Sequence, residues 1–431
     1  LRGGSEGYSD SLIGYIMSGY FVGFFVGFYM AMPMLRRVGH IRSFALCAAI
    51  AACVVLMHLL IVNPWAWMVL RVVTGAVLVI LYTIIESWLN DQTESSRRGQ
   101  VFAIYMAVNL GSLALAQQFL RFGDAGGYAL FAVAAMLVCI SLVPITWTRM
   151  AQPVVSETAS LGVRKLYKMA PVAVVAAVLS GIAMGAFWGM GPVFAQRIGL
   201  TDNSVAMFMS CAILGGALFQ YPLGRLSDKY DRRLVLAAVN GAGMLLAVLM
   251  WILPAEPLVV LTLISLWGGA SFAVYPVAIA HLVDHLEPGE ILSGGSGLLL
   301  LHGIGAAIGP ALAGQIMSLT GPLALVVYFA VTHLGIVLFA AFVLKAPDKI
   351  EEPEDTAPFV PMVRTTPTAL EMLPEDMLEE HSESPSESEK GSEAESETES
   401  TSVIHDYPDN EQLDDNEYPD EPDMSSSITS R

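Results

Sequence analysis

The chain has little of what an enzyme or a disulfide-stapled domain would need. Cysteine occurs four times in 431 residues. Cys47, Cys53, Cys139 and Cys211 all lie inside apolar stretches without metal-ligand spacing, so they read as small buried hydrophobes rather than a disulfide framework. Charge is also scarce, with Asp, Glu, Lys and Arg at 14% together. No nucleophile elbow, phosphate-binding loop or metal-ligand cluster can be read anywhere. The sequence therefore argues against an enzyme and offers no catalytic residue, cofactor site or metal site. Basic charge is nearly missing from residues 346–431, which hold 26 of the 40 Asp and Glu and four of the 22 Lys and Arg. That stretch carries a formal charge of about −22, which excludes nucleic acid as its partner, and leaves about +4 for the body.

What is abundant is apolar surface. Hydrophobic residues make up 54% and mean hydropathy is +0.58. A hydrocarbon core about 30 Å thick needs roughly 20 apolar residues per helix. By that rule the sequence predicts eleven spans, near 11–32, 43–62, 66–89, 100–120, 126–147, 169–195, 203–223, 234–253, 258–281, 292–318 and 322–344. One set of loops carries Arg36, Arg37 and Arg42, then Arg97 and Arg98, then Arg149, Arg164, Lys165 and Lys168, then Arg225, Lys229, Arg232 and Arg233. The alternate loops carry Arg121 and Arg197. The positive-inside rule makes the first set cytoplasmic, puts residues 1–10 outside and puts the C-terminus inside.

The loop Gly224-Arg-Leu-Ser-Asp-Lys-Tyr-Asp-Arg-Arg233 is matched by Met34-Leu-Arg-Arg-Val-Gly-His-Ile-Arg42, at an offset of roughly 192 residues. Tyr82 and Asp91 are matched by Tyr275 and Asp284 at a similar offset. Such a repeat predicts two pseudo-symmetric six-helix bundles, an all-α polytopic membrane protein. Five spans fall in the first half and six in the second, so the expectation is a first helix upstream of residue 1, the sequence being either an N-terminally truncated fragment or one with a mis-called start. The expected domains are a first bundle at 1–147, a cytoplasmic linker at 148–168 that includes an interfacial helix, a second bundle at 169–345, and an acidic tail at 346–431. The tail is rich in Glu, Ser and Pro, which predicts disorder and no packed contact with the helices.

The Gly224–Arg233 loop resembles the loop motif of the major facilitator superfamily of secondary transporters. Arg71-Val-Val-Thr-Gly75 resembles that family's Arg-x-x-x-Gly element. Tyr82-Thr-Ile-Ile-Glu-Ser-Trp-Leu-Asn90, followed by Arg97-Arg-Gly99 and Tyr105-Met106, together with Tyr275-Pro-Val-Ala-Ile-Ala-His281, is similar to a bacterial inner-membrane subgroup, the YcaD-like transporters. The chain departs from the family at Arg36, where the first loop copy usually has Asp. It also lacks the Gly-Pro antiporter element in the fourth span. Gly305-x-x-x-Gly309-Pro310-x-x-x-Gly314 in the tenth span reads as a stripe for close helix approach.

Candidate residues follow in two groups. Gate candidates are Arg36, Arg37, Asp228, Lys229, Arg232, Arg233, Asp284 and Glu287, because an acidic turn at 284–290 is expected to face the arginine-rich loop across the two halves. Exposed pairs of this kind contribute about 0–1 kcal/mol. Asp228 is expected near 99–102, where a carboxylate can cap free N–H groups. Coupling or substrate candidates are the in-span ionisable residues Arg71, Glu86, His281 and His302. Glu86 is read either as a gate partner of Arg97 or Arg36 or as a proton carrier. The resemblance implies that the third, sixth and ninth spans line a central cavity, which adds Tyr82, Trp188, Trp267 and Tyr275. Asn109 and Gln118 of the fourth span join them, and packing alone is expected to account for many of these.

The expected function is secondary active transport of a small solute by alternating access across the inner (cytoplasmic) membrane, with protons as the candidate coupling ion. The expected partners are the lipid bilayer and a small molecule, with the protein acting as a monomer. The competing reading is a non-transporting membrane receptor or scaffold that signals through the acidic tail.

Overall fold

The computed structural model describes residues 1–123, 126–147, 160–345, 359, 360 and 362. All of them fall within one unit, Leu1–Glu383. Among the described residues, eleven helices are long and apolar enough to cross a membrane, at the positions the apolar runs predict. They are α1 (Asp10–Val38), α2 (His40–Leu60), α3 (Pro64–Asp91), α4 (Arg98–Gln118), α5 (Ala129–Trp147), α6 (Pro171–Arg197), α7 (Asp202–Lys229), α8 (Arg232–Ile252), α9 (Pro257–Val283), α10 (Ile291–Thr320) and α11 (Ala324–Leu344). The linker contributes a short helix, Val163–Met169, whose Leu166 is fully buried.

Local chemistry sets the helix ends. Asn63 accepts from the N–H groups of Trp65 and Ala66, and Pro64 occupies the first helical position of α3, where its missing N–H costs nothing. Asp231 caps α8 by accepting from Arg233 N–H at 2.8 Å. A single residue, Gly39, separates α1 from α2. Its φ of 84° lies in the region that favours glycine.

Two helix bundles result, with matching internal contacts: α1 on α3 corresponds to α7 on α9, and α2 on α5 corresponds to α8 on α11. Inside a bilayer, helices gain nothing from hiding apolar surface from lipid, so association rests on close backbone approach at small residues. A β-carbon on Gly75 of α3 would meet the Tyr20 carbonyl oxygen of α1 at 1.9 Å, and one on Gly215 of α7 would meet that of Ser265 of α9 at 1.9 Å. The α10 stripe behaves as its spacing predicts. Gly305 and Gly309 lie against Val178 and Ile182 of α6, while Gly314 lies against Asp10 of α1.

The halves differ in one respect. In the second, α6 packs on both α10 and α11. Among the described residues no helix stands in the corresponding place beside α4 and α5. Consequently α11 buries residues from Leu325 to Ala340, whereas the described burial in α5 is Ala135.

Two cysteine expectations need correction. Cys47 is buried, but Cys53 and Cys139 are exposed on the outward faces of α2 and α5, where a thiol meets lipid as readily as any small apolar group. All four are free.

These contacts set a stability test. Gly75→Ala should lower the thermal unfolding midpoint in detergent, by the equivalent of about 1–3 kcal/mol or more. Gly241→Ala, with nothing within 4 Å of the added carbon, should be neutral or gain up to about 1 kcal/mol from helix propensity. Equal losses at both positions would refute the close-approach account.

Candidate functional site

A central cavity of about 110 Å³ lies between the halves. Tyr20, Phe21 and Phe24 come from α1; Met184 and Trp188 from α6; Ser271, Phe272 and Tyr275 from α9; and His302 from α10. Of the residues expected from the sequence, Trp188, Tyr275 and His302 reach this wall. Tyr20 and Phe24 were not foreseen. Their signal was the spacing Gly19, Gly23, Gly27: those glycines face α3, which turns the neighbouring aromatics towards the second half.

The wall's polar groups are held by fixed hydrogen bonds. His302 Nδ1 lies 3.1 Å from the Ala177 carbonyl oxygen, which can only accept, so the proton sits on Nδ1 and leaves Nε2 as an acceptor. The His302 ring lies 4.6 Å from that of Tyr275, centroid to centroid. Ser271 belongs to a buried chain. Asn240 Nδ2 donates to the Leu236 carbonyl at 2.8 Å, which turns its Oδ1 to accept from His333 Nδ1 at 2.7 Å. His333 Nε2 then accepts from the Ser271 hydroxyl at 3.0 Å. The triad joins α8, α9 and α11 with a neutral imidazole.

Other candidates lie elsewhere. Trp267 is fully buried and stacks on Phe329 at 4.3 Å, so it packs the second bundle and does not reach the cavity wall. Gln118 donates to Ser210 Oγ at 2.6 Å, and Ser210 donates to the Ala114 carbonyl at 2.9 Å. These bonds tie α4 to α7 near the end of the molecule where α1 begins. Ser18 accepts from Ala311 N–H at 3.1 Å and Arg197 pairs with Asp10 at 3.0 Å, which closes the same end through α1, α6 and α10. Arg71 is half-buried on α3, with its β-carbon beside Gly19 of α1.

Glu86 is fully buried and accepts from the Tyr105 hydroxyl of α4 at 3.1 Å. Asn109 and Tyr82 lie close to Tyr105. Three expected residues, Tyr82, Glu86 and Asn109, thus gather around Tyr105 on α3 and α4.

The opposite end, which carries the basic loops, is organised around Arg232. Its side chain is 2% exposed, and its Nε lies 2.6 Å from Asp284 Oδ2, whose side chain is 4% exposed. It also donates to Ser227 at 3.3 Å and lies 3.7 Å from Asp228. The C-termini of α7 and α9 are thereby locked to the N-terminus of α8. Arg233 is held by Asp231 at 3.0 Å, and Lys229 lies over the Tyr230 ring at 5.7 Å. His281 is buried against the His285 ring, centroids 4.8 Å apart. Glu287, Arg36 and Arg37 are exposed. In the acidic turn, Asp284 pairs with Arg232 and Glu290 with Lys165, so both take partners from residues after the first bundle.

Asp228 also accepts from the Phe359 backbone N–H at 2.8 Å. This corrects the expectation of a tail without packed contacts, at the positions where the tail is described. Met362 is 4% exposed and joins the cavity wall. The rest of 346–431, and 148–159 of the linker, lie outside the described residues.

The model of the Major Facilitator Superfamily matches residues 4–201 and 173–374, one match to each half. The chain belongs to the Major Facilitator Superfamily. Uncharacterised MFS-type transporters called YcaD, from Salmonella newport (strain SL254) and Salmonella typhi, are 28% identical over 313 residues, covering 71% of this chain and 79% of theirs. Two solved structures share the fold. A point mutant of the nucleoside transporter NupG has a TM-score of 0.64 at 16% identity, covering 79% of this chain and 91% of that one. A bacterial homologue of the human lysosomal transporter Spinster, inward-facing and occupied, has a TM-score of 0.65 at 15% identity, covering 80% and 90%. This member of the superfamily is a multi-pass membrane protein of transporter type, set in a lipid bilayer and built to move a small molecule. Family and fold are those of transporters rather than enzymes.

Asp284→Ala should cost about 3–5 kcal/mol in stability, because it strands the buried Arg232 guanidinium. Arg232→Met combined with Asp284→Leu should recover most of that loss. Unfolding in a mixed-micelle denaturant series measures both, and a double variant no better than the single would contradict the pairing.

Proposed function

We propose that the protein is a secondary active transporter that carries a small neutral, ring-bearing solute by alternating access, coupled to protons. The observation that carries this reading is the cavity itself. Its wall combines residues of both halves, holds no Asp, Glu, Lys or Arg among the described residues, and offers stacking faces with a few fixed hydrogen-bonding groups. An uncharged wall leaves nothing to compensate the desolvation of an ionic solute. Aromatic faces with His302 Nε2 and the Tyr20 and Tyr275 hydroxyls suit a ring with polar substituents. The closed end, tied by α1–α10 and α4–α7, is the side opposite the basic loops. The positive-inside rule assigns those loops, and with them the C-terminus, to the cytoplasm. On this reading the membrane is the cytoplasmic one and the monomer is the working unit.

Glu86 is the proposed proton carrier. A fully buried carboxyl is costly to ionise, and Tyr105 gives it a hydrogen bond in either protonation state. The Arg232–Asp284–Asp228 group serves as the structural latch of the second bundle at the cytoplasmic gate. Arg36 and Arg37 are proposed to meet it when that side closes.

The test is a thermal-shift screen in detergent, comparing neutral ring-bearing solutes with dicarboxylates and sugar phosphates. Solutes of the first class should raise the midpoint, and Trp188→Ala or Tyr275→Ala should abolish the shift. Stabilisation by anions alone would refute the solute class. With a positive solute in proteoliposomes, Glu86→Gln should keep solute exchange but lose accumulation driven by a pH gradient. Accumulation equal to that of the parent protein would remove Glu86 from coupling.

A further inference from the structure

The tail segment 359–362 does more than touch the body. Three contacts place Phe359 and Met362 between the basic end of α7 and the cavity. The Phe359 N–H is bonded to Asp228. The Phe359 ring lies on Gly224, where a β-carbon would meet the ring at 2.2 Å, so Gly224 and Asp228, one turn apart on α7, form a seat for one residue. Met362 is buried in the apolar cluster that holds Phe102 and Met106 of α4 together with Val274 and Val277 of α9, and it is part of the cavity wall. Met362 therefore lies between the two halves.

The sequence suits this role. In Pro358-Phe-Val-Pro-Met362 the prolines bar a helix and bias Val360 to an extended backbone. An extended segment already stiffened in the free chain loses less entropy on docking. A backbone N–H on a carboxylate gives a charge-assisted bond. Methionine, unbranched and polarisable, fills an irregular slot. The cavity volume agrees, since 110 Å³ is below the ~300 Å³ at the lower end of small-molecule sites.

We propose that residues 359–362 are an autoinhibitory plug, which closes the cytoplasmic mouth and leaves the cavity too small for solute until the segment withdraws. The plug also holds the Asp228 carboxylate, so plug and gate compete for one group. The consequence for transport rests on the proposed reading of the cavity as the solute site. The test needs no solute, so the two can fail separately.

The experiment measures access to the cavity in the full-length chain, with Cys47, Cys53, Cys139 and Cys211 replaced by Ala and with Leu299→Cys as reporter on the cavity wall. The protein is placed in lipid nanodiscs and labelled with a hydrophilic maleimide. Phe359→Ala with Met362→Ala should raise the labelling rate about tenfold, as expected if the plugged state holds roughly nine molecules in ten. A synthetic peptide of residues 355–366, added to that variant, should restore protection. The same peptide with Ala at both positions should not. Equal labelling of the parent and the double variant, or equal protection by both peptides, would overturn the plug.

Discussion

The structure depends on backbone approaching backbone across glycine. In lipid, neighbouring hydrocarbon competes evenly with every leucine on a helix, so apolar burial does not choose helix partners. Shape does. Gly75 against Tyr20, Gly215 against Ser265 and Gly305 against Val178 bring helices together at distances where any side chain would collide. Everything functional is positioned by those contacts. With Gly19, Gly23 and Gly27 committed to α3, Tyr20 and Phe24 are turned to the cavity. With Gly305 and Gly309 committed to α6, His302 is set beside Tyr275.

Polar groups divide the labour differently at the two ends. At the end where α1 begins, hydroxyls and amides tie the halves to each other through Ser18, Ser210 and Gln118. At the basic end, ionic contacts tie the second bundle to itself through Arg232 and Asp284, and Met362 packs in the apolar cluster that α4 and α9 share. Between them, the Ser271–His333–Asn240 chain meets its own hydrogen-bonding demand with an uncharged ring, so polarity reaches the cavity without net charge.

Much of this was legible in the sequence, for physical reasons that vary with the element. Spans are legible because a bilayer demands long apolar runs, and all eleven fall where those runs lie. The loop residues Asp228, Arg232 and Asp284 stood out because charge is rare in this body, and the structure gathers them into one group. Their partners were less legible: opposite charges suggest a contact across halves when the basic side closes, and in this structure Asp284 pairs with Arg232, because the C-termini of α7 and α9 meet the N-terminus of α8. Trp267 and Trp188 look alike in sequence, yet one packs on Phe329 and the other faces the cavity, since rotation about a nearly uniformly apolar helix leaves no periodic signal. The tail misled at Phe359, Val360 and Met362. Its composition is that of a chain too polar to order itself, and composition averages over the apolar residues Phe359, Val360 and Met362, which find their core in the body rather than in the tail.

Gly39 carries a mechanical consequence. Its N–H closes α1 on the Leu35 carbonyl, and its own carbonyl opens α2 by accepting from Ser43. One residue therefore ends one helix and starts the next, and no slack is left between them. Any change of angle between α1 and α2 must therefore pass through the φ and ψ of that one residue, with Arg36 and Arg37 in the helical turn that leads into it.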